Sequence, residues 1–200
     1  MKRSTFLLVG LLLPFVLQAS PYNPPQDPSG LGEPMAVLRN GIETLTGYLD
    51  GNRGLPPAQL RQFLEQEMVP YFDFARMSYW AAGSLNRYLD PRQREHLTIL
   101  LKNRFLNAMV EQLSAYHQSR LQYLQPRGNP LHGEVTLGVR VFGVDTYPVQ
   151  LDFKLYRGRD GWKVYDVVAN GSSAVAHYRN EFSLLAHRYG VVGLLQRLEQ

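Results

Sequence analysis

Apolar side chains from Pro34 onward recur every three to four residues. Val37, Leu38, Ile42, Leu45 and Leu49 mark one face of a helix that Asp50-Gly51-Asn52 brings to an end. Pro56-Pro57 opens a second helix with Leu60, Phe63, Leu64 and Met68 on one side, proline being favoured in a first turn, and Pro70 stops it. Tyr71 to Leu89 is aromatic and irregular. Asp90 then reads as a cap and Pro91 as the first residue of the longest helix, whose apolar face is Leu97, Leu100, Leu101, Phe105, Ala108, Met109, Leu113 and Tyr116. Lys102, Asn103, Asn107 and Glu111 take the other face.

After His117 the period changes to two. A strand near Arg120 to Gln125 precedes a turn region; Val135, Leu137, Val139 and Val141 then alternate along a second strand. Gly143 to Thr146 reads as a turn. Val149, Leu151, Phe153 and Leu155 alternate along a third strand, with Gln150, Asp152 and Lys154 opposite. Arg157-Gly158-Arg159-Asp160-Gly161 connects it to a fourth strand, Trp162 to Ala169. Asn170-Gly171 turns the chain into a helix that ends at Tyr189-Gly190, and Val191, Leu194, Leu195 and Leu198 mark a last short one. Helices, an antiparallel meander and helices again predict an α+β fold: a curved antiparallel sheet of about four strands with helices gathered against it.

The N-terminus follows a different pattern. Lys2 and Arg3 precede an apolar run from Phe6 to Leu17, and small Ala19 ends a cleavage-site pattern, so residues 1–19 read as a signal peptide and the protein as exported, the alternative being an anchor left in place, for which the run is short. No cysteine follows the run, which leaves no residue for lipid attachment there. Residues 20–34, with five prolines, read as a flexible lead-in, and residues 35–200 as one domain. The formal charge of +4 includes Lys2 and Arg3; without them it is +2, too little to point to nucleic acid or to a strongly anionic surface. With no cysteine in the chain, an exported protein of this kind depends on its core rather than on disulfides.

Catalytic signatures are sparse. Of five histidines only His177 has a carboxylate at helical spacing, Glu181, and that is half a metal site at best; an ordinary surface pair is the better reading. Ser172-Ser173 lacks the surroundings of a nucleophile elbow and reads as a helix cap. Asp166 shares its parity with Trp162 and Val164. It is therefore expected to face inward, either bonding backbone groups or an arginine such as Arg179, or serving as acid or base in an apolar pocket. No phosphate-cradling loop is present, and no stripe of aromatic and basic residues points to RNA or DNA. The remaining signal is apolar volume arriving from many elements, enough for a ligand cavity as well as a core.

The ordered set Glu67-Met68-Val69-Pro70-Tyr71-Phe72-Asp73-Phe74, Pro91-Arg92-Gln93-Arg94-Glu95, Asp160 to Val167, Asn170-Gly171-Ser172, Tyr178-Arg179-Asn180-Glu181-Phe182 and Tyr189-Gly190-Val191-Val192-Gly193-Leu194-Leu195 resembles the MlaC family, also called the toluene-tolerance family, from about residue 35 to 198. The resemblance implies a periplasmic phospholipid carrier with no catalytic residue, metal or cofactor. It implies an NTF2-like α+β fold enclosing a deep hydrophobic cavity for acyl tails. It implies as partners the MCE-domain subunit of an inner-membrane ABC transporter and an outer-membrane lipoprotein–porin complex, between which lipid is shuttled to maintain outer-membrane asymmetry. Where the family usually reads Glu-Gly-Val-Ser followed by a large apolar residue, this chain has Asn170-Gly171-Ser172-Ser173-Ala174, a departure that implies a more polar or wider mouth and a different lipid.

For such a cavity, parity and helical phase nominate Met77, Trp80, Leu85, Phe105, Met109, Val139, Val141, Leu151, Phe153, Val175, Tyr178 and Phe182 as lining residues. Ser172 is placed at the mouth and Arg179 as a phosphate partner. The alternatives are a small envelope hydrolase or isomerase using Asp166, and a non-lipid adaptor docking through the aromatic Tyr71–Tyr88 segment.

Overall fold

The computed structural model describes residues 30–114, 119–143 and 147–200; the expected signal peptide, most of the lead-in and the 143–146 turn fall wholly or largely outside them. Helix α1 (Gly32–Gly51) starts two residues before Pro34 and buries Pro34, Leu38, Gly41 and Leu49. Helix α2 (Pro57–Phe63) runs on as a π-helical turn over Leu64–Met68 and a 3₁₀ turn over Val69–Tyr71. Helix α3 (Phe74–Ala82) is capped by Asp73, whose Oδ1 accepts from Arg76 N at 2.8 Å; a 3₁₀ turn, Gly83–Arg87, follows it. Helix α4 (Pro91–Ser114) opens on a reciprocal capping box: Gln93 N donates to Asp90 Oδ1 and Asp90 N to Gln93 Oε1.

Among the described residues six strands follow: β1 (Arg120–Tyr123), β2 (Arg127–Asn129), β3 (Glu134–Phe142), β4 (Val149–Gly158), β5 (Gly161–Ala169) and β6 (Ser172–Ser173). They form one antiparallel sheet in the order β1-β3-β4-β5-β6, with β2 also on β3. The four expected strands are joined by two very short ones. β1 and β2 share the edge of β3 as one interrupted strand, and Leu124 N still donates to Gly138 O across the break. Beyond β5, Phe72 bridges Val164 in parallel and Asp73 N donates to Val164 O at 2.8 Å, so the aromatic segment is stitched to the sheet.

The last helix, α5 (Ala174–Leu198), is broken at Gly190, where φ 69 and ψ 179 suit glycine; the break expected there is present. One core joins the sheet to α3, α4 and α5, with Met77, Leu97, Leu101, Leu155, Phe182 and Leu194 all fully enclosed. A smaller core holds α2 against α1 and α4 through Leu49, Leu60, Leu64, Met68 and Leu106, with Tyr48 stacked on Phe63.

Within β5 one residue departs from strict alternation. Lys154 pairs with Asp166 and Leu155 with Val164, leaving Tyr165 as a β-bulge. Asp166 therefore lies on the side of Lys154, away from Val164, contrary to the parity expectation.

Candidate functional site

The inward face of the sheet is apolar along its whole length but unevenly covered. At one end Val135, Leu137, Leu155, Trp162 and Val164 are buried. Toward the other end Val141, Val149, Leu151, Phe153 and Val167 are only half-buried, although the register places them on the same face. Leu121 and Tyr123 of β1, opposite Val141 and Val139, extend this half-covered area. Val175, Tyr178 and Phe182 of α5, Phe105 of α4 and Met77 of α3 belong to the same core; Phe105 meets Phe72 and Phe74 edge-on.

The half-covered end opens onto a polar rim. Asn170 takes a left-handed conformation, φ 46, and is held to β4 twice: its N–H donates to Gln150 O at 2.8 Å, and its Oδ1 accepts from Gln150 N at 2.9 Å. Ser173 caps α5 by accepting from Ala176 N at 3.0 Å, as expected for this serine pair. Asp166, almost fully enclosed, anchors the same corner. It accepts from Val175 N at 3.1 Å, from Ser173 Oγ at 2.8 Å and from Lys154 Nζ at 2.9 Å. One carboxylate thus ties β4, β5, β6 and the first turn of α5 together, and its negative charge suits a helix N-terminus. Lys154, rather than Arg179, is its cation.

Of the nominated residues, Met77, Phe105, Val139, Val175, Tyr178 and Phe182 are buried in one core. Leu85, Met109, Val141 and Phe153 are partly buried against it, and Leu151 is half-buried on the same sheet face. Ser172 is exposed at the rim. Trp80 and Arg179 lie together elsewhere, on the seam between α3 and α5, where Arg179 Nε and Nη2 both donate to Trp80 O. Leu121, Tyr123 and Val167 escaped the sequence reading, although alternation along Arg120 to Gln125 pointed to the first two.

Burial pushes the Tyr178 hydroxyl up to about 12, with Glu181 adding to the rise and Arg104 opposing it. Glu181 pairs with Arg104 at 3.0 Å while His177 packs edge-on against Tyr178, so these two expected partners are engaged separately. Both line an open groove of about 640 Å³ between α4 and α5, together with Arg61 and Asn103. Among the described residues no three His, Cys, Asp or Glu side chains converge as a metal site, and no helix is long and apolar enough to cross a membrane.

This fold is similar to that of a solved protein, the phospholipid-binding protein from Ralstonia solanacearum, whose structure holds a phospholipid. The TM-score is 0.75 at 25% sequence identity, covering 82% of this chain and 93% of that one. The profile of the MlaC protein family matches residues 43–200. With a match over most of its length and the α+β architecture expected of it, the chain belongs to the MlaC family.

Proposed function

We propose that this protein binds a phospholipid, its acyl tails against the inward face of the sheet and its head at the Asn170–Ser173 rim. The observation that carries this reading is the continuous apolar face, half-covered where it meets that polar rim. The phospholipid held by the similar Ralstonia solanacearum protein supports it. Two acyl tails expose about 30 methylenes, and covering them is worth roughly 0.8 kcal/mol each, some 20–25 kcal/mol, against leaving them in water. No reactive group is needed for that task. Asp166, which an enzymatic reading would require, has its oxygens engaged by three structural donors.

In this reading the tails lie among Phe105, Met109, Val139, Val141, Leu151, Phe153, Val175, Tyr178 and Phe182, with Met77 and Leu85 behind them. Ser172 and Ala174 tune the mouth. The carrier works in the periplasm after removal of its signal peptide. It exchanges lipid with an MCE-domain transporter subunit on one side and an outer-membrane lipoprotein–porin complex on the other, and so sustains outer-membrane asymmetry.

Native mass spectrometry and lipid extraction of protein purified from the cell envelope test this. The wild type should carry phospholipid. Leu151→Glu and Val175→Glu should lose it, the first at a half-buried position from which the carboxylate can still reach water. Folded wild-type protein that carries no phospholipid and extracts none from vesicles would sink the proposal.

A further inference from the structure

A second surface has a chemistry of its own. Tyr79, Trp80 and Tyr88 are 61%, 43% and 66% exposed, three large rings within ten residues that the core leaves outside. Three arginines are fixed around them by neutral acceptors. Arg179 Nε and Nη2 donate to Trp80 O, Arg87 Nε to Ser84 O and Arg94 Nη2 to Asn86 O. Asn86 in turn donates to Tyr79 O and Gly83 O. Among the described residues none of these three guanidinium groups lies within ion-pair reach of a carboxylate, whereas Arg61, Arg76, Arg104, Arg127 and Arg157 all do. Counting Arg92 in the first turn of α4 against Asp90 and Glu95, the surface carries a local charge of +2.

A guanidinium has five donors. Each of these arginines spends one or two on a carbonyl, which fixes its position and leaves the rest for oxygens from outside. Tyrosine and tryptophan rings, apolar in body and polar at one tip, favour the boundary between apolar and wet surroundings. Between Tyr79, Leu89 and Leu97 the surface also has a shallow apolar recess of about 380 Å³. Fixed cations among half-submersible rings match a sheet of phosphates over hydrocarbon.

We propose that the Tyr79–Trp80–Tyr88 surface, with Arg87, Arg94 and Arg179, docks this protein on the headgroups of an anionic lipid bilayer. Docking does not depend on lipid in the interior and would stand if the carrier reading failed. It would give the rim of α5 a fixed approach to a membrane, because Arg179 belongs to the helix that Asp166 anchors.

The test is co-sedimentation of envelope-purified protein with vesicles of equal parts phosphatidylglycerol and phosphatidylethanolamine, and with vesicles of phosphatidylcholine alone. The wild type should partition onto the anionic vesicles, less so as salt rises, and little onto the zwitterionic ones. Arg87→Gln with Arg94→Gln should weaken partition about 30-fold, from the usual attraction per basic residue at such a surface. Tyr79→Ser with Tyr88→Ser should weaken it too. A charge-matched control, Arg53→Gln with Arg159→Gln, should stay within about twofold of wild type. Thermal melts show that all variants fold, and Arg87→Gln with Arg94→Gln should still co-purify with lipid, which separates docking from carriage. Equal partition of the patch variant and the control overturns the proposal, as does a wild type that ignores anionic vesicles. A patch variant that keeps vesicle binding but loses cross-linking to an acidic envelope protein assigns the surface to that protein and equally overturns it.

Discussion

Replacing Asp166 by alanine should loosen the corner where β4, β5, β6 and α5 meet. Three donors lose their acceptor at once. Lys154 is 38% exposed and can turn to water, so its share is that of a surface pair, about 0.5–1 kcal/mol. Val175 N–H sits in the first turn of α5 on a buried residue, and stranding it costs about 1–3 kcal/mol. Ser173 keeps its cap to Ala176 N and loses only its own donor's partner, a few tenths to about 1 kcal/mol. Together these come to about 3 kcal/mol. Asp166→Asn keeps a carbonyl oxygen for Val175 N and should cost about half as much. Lys154→Met leaves the carboxylate with two donors and a helix N-terminus, at about 1 kcal/mol.

Urea unfolding measures all three, read from the midpoint at unchanged slope. A loss below about 0.5 kcal/mol in Asp166→Ala would refute the anchoring role. A cost in Lys154→Met as large as that in Asp166→Ala would show instead that the ion pair, rather than the helix anchor, carries the corner. The double variant locates the coupling, expected near 1 kcal/mol for residues in direct contact.

Three further outcomes follow from the packing. Phe182→Ala, at a fully enclosed ring, should cost about 3–5 kcal/mol in the same assay. Gly138→Ala should cost about 1–3 kcal/mol, because its Cβ would stand 2.9 Å from Asp152 Oδ1 and 3.0 Å from Leu124 Cδ1; Gly47→Ala, with nothing near its Cβ, should not destabilise and serves as control. Tyr178 binds its proton more tightly folded than unfolded, so its contribution is whole below the ordinary tyrosine range and is lost as pH climbs from about 10 through about 12. Urea midpoints at about pH 9 and about pH 11 should therefore fall more steeply for the wild type than for Tyr178→Phe.

Much of the architecture was legible because its period is simple. Alternation from Val135 to Val141 and from Val149 to Leu155 put the inward face in the right place, and the glycine after Tyr189 marked a real break in α5. The bulge at Tyr165 was not legible: one inserted residue leaves the composition unchanged yet moves Asp166 to the other side of the sheet. Strands of two or three residues, such as β6 and β2, are too short to show a period. The seam joining Trp80 to Arg179 was hidden for another reason. Its partners are 99 positions apart, and aromatic composition alone could not separate a ring in the cavity from a ring on the surface.

If the protein carries lipid as proposed, the uneven covering of the sheet bears on how that lipid would be released. The large gain from shielding acyl tails is a gain over water, and a lipid in a bilayer already has it. Uptake from a membrane thus exchanges one dry environment for another, and the small remaining difference depends on what the tails displace. At the Leu137, Leu155 and Val164 end they would have to displace close-packed protein contacts. At the Val141, Leu151 and Phe153 end they would cover side chains that still face water, which adds favourable burial. Binding should therefore begin at the half-covered end and weaken with depth. On that reading such a gradient would keep the net affinity modest relative to a membrane, and headgroup contacts at the Asn170–Ser173 rim, worth about a few kcal/mol, would suffice to decide whether lipid enters or leaves.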